Sequence, residues 1–122
     1  MPRGARRVRL RSDIWVAAYL RRCGAEGASA VLRRRGAAEA GAIFVKIDLR
    51  DGRAALYGPA PQTAAAGAER GVERIFARAH RAEWIDSMDA DKRLEREIAF
   101  DPDLWIIEVE NTEGRSWLDL AP

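Results

Sequence analysis

The chain has 122 residues, of which 48% are apolar and 33% are charged, and these values are ordinary for one soluble globular domain. No apolar run reaches the roughly 18 residues of a membrane span, and the basic amino terminus lacks the apolar segment of a secretion signal. We therefore expect a cytoplasmic protein without a membrane partner. A single cysteine, Cys23, excludes an internal disulfide and any site built from several cysteines, and on a helix it is typical of a small core residue.

Charge is unevenly distributed along the chain. The net charge is +2, yet residues 1–35 contain ten arginines against two acidic residues, a net of +8, and residues 83–122 contain four basic against twelve acidic residues, a net of −8. Arginine outnumbers lysine by 19 to 2, which indicates GC-rich coding, so the number of arginines alone says little about partners. The polarity indicates an interaction surface, or two ends that pair within the fold or in a homodimer.

Hydrophobic periodicity predicts a helix and three strands in the first half of the chain. The helix spans 13–24, with Ser12 as its N-cap and Gly24 suited to its end. Val16 and Leu20 follow its apolar spacing. The segments ASAVLRRR and AIFVKIDL are typical of strands, and the turn RDG leads from the second into a third strand, RAALYG, as a hairpin.

The second half of the chain predicts one further helix and strand. Residues 58–71 are typical of a loop, and residues 72–84 fit either a helix or an edge strand. Asp86 or Ser87 as the N-cap and four-residue charge spacings predict a helix in this region. It ends at Asp101, because a residue before proline avoids the helical conformation. LWIIEVE is then a strand, NTEG a turn, and RSWLDL a short final strand or tail.

These elements predict an α+β fold. We expect an antiparallel sheet of about four or five strands, packed by the two helices at 13–24 and 87–99. The compact domain covers residues 11–119, and residues 1–10 form a basic, flexible arm.

Carboxylates flank the apolar run of the last predicted strand, and they are the candidate ligands of a metal-dependent hydrolase: Asp101, Asp103, Glu108 and Glu110. Side-chain alternation places the two glutamates on one face. Five extended residues separate Asp103 from Glu108, roughly 16 Å at strand rise, too far for both to bind one metal ion. A nuclease-type site would also add a lysine, and this strand offers none. We favour aspartates that shape a helix-to-strand corner and solvated glutamates, with the metal site as the weaker alternative.

The sequence predicts no catalytic residue and no cofactor. His80 is the only histidine, and we interpret it as a lone surface residue, because a catalytic triad also needs a nucleophile and an orienting acid. No Gly-x-Gly-x-x-Gly and no Gly-Lys-Ser/Thr motif is present, so a phosphate-binding loop is not indicated.

Arginines are the candidate residues for nucleic-acid binding. The principal ones are Arg33, Arg34, Arg35, Arg7, Arg9 and Arg11, with Arg3 and Arg6 beside them. Phosphate contacts of this kind give weak, salt-sensitive affinity that is largely independent of base sequence. No RNA- or DNA-binding motif accompanies them.

Four segments together resemble the alphaproteobacterial family known as domain of unknown function 1491: RSDIWVAAYLRRC, RRRGAAEAGAIFVKI, LYGPAPQ and FDPDLWIIEVE. They follow in that order between residues 11 and 110. The resemblance implies a compact bacterial cytosolic domain and supplies no site residue to carry over. We therefore weigh three functions: first a non-enzymatic interaction or structural module with an acidic protein partner or a second copy, then nucleic-acid binding, then metal-dependent hydrolysis.

Overall fold

The computed structural model describes residues 10–61 and 74–122. Predictions for residues 1–9, and for most of the loop predicted at 58–71, lie outside this part of the chain. The elements, in chain order, are α1 (Ser12–Ala25), β1 (Ser29–Arg34), β2 (Ile43–Asp48), β3 (Arg53–Pro59), β4 (Phe76–Arg78), β5 (Ile85–Asp86), α2 (Ser87–Phe100) and β6 (Trp105–Glu110).

The strands form one six-stranded sheet, in the order β1-β6-β2-β3-β4, with β5 also paired to β3. The α+β class and the two packing helices are confirmed. The sheet is mixed rather than purely antiparallel, because β6 inserts between β1 and β2 and runs parallel to β2. The predicted β2–β3 hairpin is confirmed, with Val45 opposite Tyr57. Parallel strands need a long connection, and between β2 and β6 the chain forms β3, β4, β5 and α2.

The main hydrophobic core lies between α1 and one face of the sheet. Helix α1 contributes Val16, Tyr19 and Cys23, all buried, whereas Ile14 is largely exposed. The central strands contribute alternate residues, because successive side chains of a strand point to opposite faces. These strand residues are Ile43, Val45 and Ile47 of β2, Ala55 and Tyr57 of β3, and Trp105, Ile107 and Val109 of β6.

Helix α2 covers the opposite face with a smaller core. Leu94 of the helix packs with Phe44, Leu56 and Ile106 of three strands. The predicted capping of α2 is confirmed, since a carboxylate oxygen of Asp86 accepts a hydrogen bond from the Met88 amide at 2.8 Å.

The predicted ends of α1 are wrong in detail. Ser12 is fully buried and opens the helix, and its hydroxyl donates to the Gly41 carbonyl at 2.7 Å instead of capping. At the other end the helix continues through Gly24 to Ala25. Gly27, with φ +86°, takes the left-handed conformation that was expected of Gly24.

The region predicted as helix or strand is described from residue 74 onward. It contains the short strand β4, and β5 follows directly after it. The carboxy-terminal tail lies along β4, because the Phe76 amide donates to the Asp119 carbonyl and the Ala121 amide donates to the Phe76 carbonyl, each at 2.8 Å. The tail therefore pairs with this edge of the sheet at Phe76. No helix in the part of the chain that the structure describes is long and apolar enough to cross a membrane.

Candidate functional site

Strand β1 forms the other edge of the sheet. It pairs with β6 on one side, and within residues 10–61 and 74–122 no strand pairs with its outer side. An unpaired strand edge presents a row of backbone N–H and C=O groups that a second extended chain can join. The Val31 side chain lies on this strand opposite Glu108 and is 54% exposed. Among the described residues this backbone edge is therefore unpaired, and the Val31 side chain on it is about half exposed.

A β-bulge interrupts β1 between Leu32 and Arg34. Bulges and arginines at a strand edge hinder pairing between edges that do not complement them. Strand β1 and the residue after it thus combine a small-residue and apolar half at Ser29–Leu32 with a basic half at Arg33–Arg35.

Arg33 joins the edge strand to a group of charges that lies against α2. One guanidinium nitrogen donates to Asp91 at 2.9 Å and to Glu108 at 3.0 Å. The Lys46 ammonium lies on the same face, 2.9 Å from Asp91, 3.8 Å from Asp48 and 4.0 Å from Glu108. We call these five residues the charged cluster. It binds the basic amino-terminal part of the chain to the acidic carboxy-terminal part.

Burial makes the charged cluster energetically important. The Lys46 side chain is only 3% exposed, so its ammonium group depends on the carboxylates for compensation. Burial opposes ionisation of Asp91, but the hydrogen bonds from Lys46 and Arg33 outweigh it and lower the pKa of Asp91 below its usual value. Likewise burial opposes the charge of Arg33, and Asp91 and Glu108 more than restore it, so the pKa of Arg33 is raised.

Lys46 was not predicted as a partner of these acids. A lysine was sought only on the strand of Glu108, which has none, whereas Lys46 comes from the adjacent parallel strand, directly opposite Glu108. A signal was present: Lys46 is one of two lysines among 21 basic residues, and it interrupts the apolar strand IFVKI.

The other two arginines of the basic half form no ion pair among the described residues, although the charge of Arg35 interacts with that of Asp13 at longer range. Arg34 donates to the Pro102 carbonyl at 2.6 Å, and the Arg35 guanidinium lies over the Trp105 ring, 5.2 Å from its centroid. Neither has a carboxylate within 4.0 Å in the described ranges. Arg34 and Arg35 therefore make the end of β1 locally positive.

The remaining nucleic-acid candidates do not extend this positive surface in the part of the chain that is described. Arg11 forms ion pairs with Asp13 at 3.2 Å and Glu39 at 3.5 Å, and Asp13 raises the pKa of Arg11. Arg7 and Arg9, with Arg3 and Arg6, lie outside the described residues.

The four candidate metal ligands lie at separate positions. Asp101 ends α2 and accepts a hydrogen bond from the Asp103 amide at 3.0 Å, as expected for a corner. Glu108 belongs to the charged cluster and Glu110 pairs with Arg50 at 3.0 Å, so the glutamates are ion-paired rather than simply solvated. Among the described residues no three His, Cys, Asp or Glu side chains are grouped so as to hold a metal ion. The carboxylate site stays a prediction.

His80 is a bonded, part-buried residue rather than a plain surface histidine. Its Nε2 accepts from the Leu56 amide of β3 at 3.0 Å, and its Nδ1 lies 2.7 Å from the Ala82 carbonyl. This arrangement requires the neutral ring with the proton on Nδ1. Burial, followed by the nearby charges of Arg78 and Arg93, lowers the pKa of His80. The ring therefore fixes the segment that follows β4 against β3.

In the described residues, a mixed six-stranded sheet carries one helix on each face. This arrangement, with an unpaired edge at β1 and a charged cluster around the buried Lys46, defines a small α+β domain. The family model for the protein of unknown function DUF1491 matches residues 10–119. This chain belongs to the DUF1491 family, as the resemblance of its sequence predicted.

Solved structures of relatives agree with this assignment. A crystal structure of a DUF1491 family protein from Caulobacter crescentus is 35% identical, with a TM-score of 0.74, and the match covers 94% of this chain and 100% of that one. A solution structure of a protein from A. tumefaciens is 42% identical, with a TM-score of 0.75, over 93% of this chain and 95% of that one. Both organisms are alphaproteobacteria. No curated protein matches the chain.

Proposed function

We propose that this domain is a non-enzymatic interaction module, and that the edge of β1 binds an acidic, extended segment of a partner protein. The observation that carries the proposal is the outer edge of β1, with which no described strand pairs, whereas the carboxy-terminal tail pairs with the opposite edge at Phe76. Edge strands that bind peptides take affinity from backbone hydrogen bonds and specificity from alternate side chains.

Charge supports an acidic partner. Arg34 and Arg35 lie at the carboxy-terminal end of the edge, and the described residues place no carboxylate within 4.0 Å of either. A partner strand antiparallel to β1 would put its first residues beside these arginines and its later residues beside Val31. Aspartate or glutamate followed by small or β-branched residues is the sequence that complements this edge.

The charged cluster supports a structural rather than a catalytic role for its own residues. Lys46 and Arg33 each contact the same carboxylate oxygen of Asp91, at 2.9 Å, so both cations are already compensated inside the chain. The cluster keeps β1 fixed against β6 and α2, which gives a partner strand a rigid edge to join.

Nucleic-acid binding is the second candidate, favoured by the basic amino-terminal part of the sequence and a pI near 9.1. A single experiment separates it from the first. A labelled peptide of three aspartates followed by alternating valine and threonine is titrated by fluorescence anisotropy, in parallel with a labelled single-stranded DNA and an RNA of the same length. A peptide with three lysines in place of the aspartates controls for charge, and one with its aspartates last tests the antiparallel direction.

Charge reversal identifies the surface. We expect Arg34→Glu and Arg35→Glu each to weaken binding of the acidic peptide by about tenfold or more. Arg81→Glu, an exposed position with no charged partner among the described residues, should leave it unchanged. Preference for either nucleic acid over the acidic peptide would favour the second candidate. A concentration-dependent dimer that competes with the peptide, measured by sedimentation, would replace the acidic partner by a second copy of this chain.

A further inference from the structure

A cavity of about 300 Å³ lies at the end of the sheet where β1 begins and β6 ends. Glu26 and Gly27 after α1 form one side, Arg50 of the β2–β3 turn forms another, and the segment 111–117 closes the rest. Its volume is at the lower limit of small-molecule sites, and most of its wall is polar.

Backbone strain concentrates on this wall. Among the described residues two that are not glycine have positive φ, Arg50 at 69° and Trp117 at 54°, and both line the cavity. The left-handed conformation is unfavourable for side chains of this size and persists only where the surroundings impose it, most often at functional sites. The Asp48 carboxylate fixes Arg50 by accepting from its amide at 2.7 Å. Trp117 packs on the main core and is also one of the residues that line the cavity.

The charges around the cavity are balanced. Its three carboxylates each have an arginine partner: Glu110 pairs with Arg50 at 3.0 Å, Glu113 with Arg115 at 3.3 Å, and Glu26 with Arg22 at 3.4 Å. A ligand with a strong net charge would have to break one of these pairs. The hydroxyls of Ser29 and Thr112, which have no hydrogen-bond partner within the described ranges, add donors and acceptors without charge.

We propose that this cavity binds a neutral, polyhydroxylated ring compound of the size of one monosaccharide. The indole of Trp117 supplies a flat apolar surface for the C–H face of such a ring. The two hydroxyls and the balanced ion pairs supply donors and acceptors for its hydroxyl groups. The site is separate from the basic half of the β1 edge, so it does not rest on the peptide-binding function.

The test is a ¹⁵N spectrum of the full chain titrated with glucose, galactose, mannose and N-acetylglucosamine. We expect at least one of the four to shift the indole N–H signal of Trp117 in a saturable way, together with amides in the segment 111–117. Spermidine, citrate and adenosine are titrated as representatives of cationic, anionic and heterocyclic ligands.

Two variants locate the binding. Trp117→Ala removes the indole, and because that ring also packs on the core, Thr112→Tyr is the second variant, which fills the cavity from an exposed position. Each should weaken sugar binding at least tenfold, while Ala99→Tyr, exposed on α2, should have no effect. The proposal is overturned if none of the four sugars shifts Trp117, if Thr112→Tyr binds as the unchanged protein does, or if only one of the other three probes binds.

Discussion

Replacing Lys46 by methionine removes the ammonium group from the charged cluster and keeps the length of the side chain. Asp48 and Asp91 then lose a cation that lay 3.8 Å and 2.9 Å away, and Arg33 alone compensates Asp91 and Glu108. Removing one partner of a fully buried ion pair costs about 3–5 kcal/mol. Asp91 is 39% exposed and solvent screens it, so we expect a smaller loss, about 2 kcal/mol of unfolding free energy.

Urea denaturation followed by tryptophan fluorescence measures this loss, and thermal unfolding should show a midpoint roughly 6–10 °C lower. The pKa of Asp91 is lowered in the folded chain, so its stabilising ionisation is complete above its unfolded value near 4 and is lost as the pH falls through the lower folded value. The difference in unfolding free energy between the unchanged protein and the Lys46→Met variant should therefore become smaller below about pH 4.

A double variant distinguishes charge from packing. Lys46→Met combined with Asp91→Leu removes both partners, and a buried pair replaced by apolar groups is often close to neutral. We expect the double variant to recover about 1 kcal/mol relative to Lys46→Met alone. A loss below about 0.5 kcal/mol in the single variant at pH 7 would refute the reasoning, because that is the range of ordinary surface substitutions.

Two further predictions concern the backbone. His80→Ala should lower the unfolding free energy at pH 7.5 by about 1 kcal/mol, because the Leu56 amide loses its acceptor. The pKa of His80 is lowered in the folded chain, so this contribution is complete above the unfolded pKa near 6.5 and is lost as the pH falls below it. Urea titrations at pH 7.5 and pH 5 should therefore show a smaller difference in unfolding free energy between the two proteins at pH 5. Gly36→Ala should cost more than about 2 kcal/mol of unfolding free energy, because its new methyl group would clash with the Asp103 carbonyl oxygen. Gly24→Ala, in open space inside α1, should instead stabilise the domain by about 0.5–1 kcal/mol. Equal thermal midpoints for these two variants would contradict the close contact of Gly36 with Asp103.

Local patterns in the sequence predicted most of the helices and strands. Alternation in IFVKID and WIIEVE placed β2 and β6 and assigned the right side chains to each face, and the turn at 50–52 identified the β2–β3 hairpin. The predicted start of α1 was wrong because a serine before a helix usually caps it. The Ser12 hydroxyl is instead buried, where it donates to the Gly41 carbonyl and accepts from Arg74 at 3.0 Å.

The pairing of strands that are distant in the chain could not be predicted from local sequence patterns. The parallel alignment of β2 with β6 places Lys46 opposite Glu108, and neither periodicity nor spacing along the chain encodes which strands become neighbours. The same holds for β4, whose three residues are fixed as a strand by Tyr57 opposite Arg78 and not by their own composition. The charged cluster results from the pairing of β2 with β6, and the position of β1 at the edge of the sheet results from its pairing with β6.

The most direct test of the central claim is an amide map of the unchanged protein with and without the acidic peptide. Hydrogen exchange and ¹⁵N shifts are recorded for each residue of β1. We predict slower exchange at those amides of Ser29–Arg34 that point away from β6, with contacts between the peptide and Val31. Binding without added protection along β1, or shifts confined to other elements, would contradict the assignment of this edge as the interaction surface.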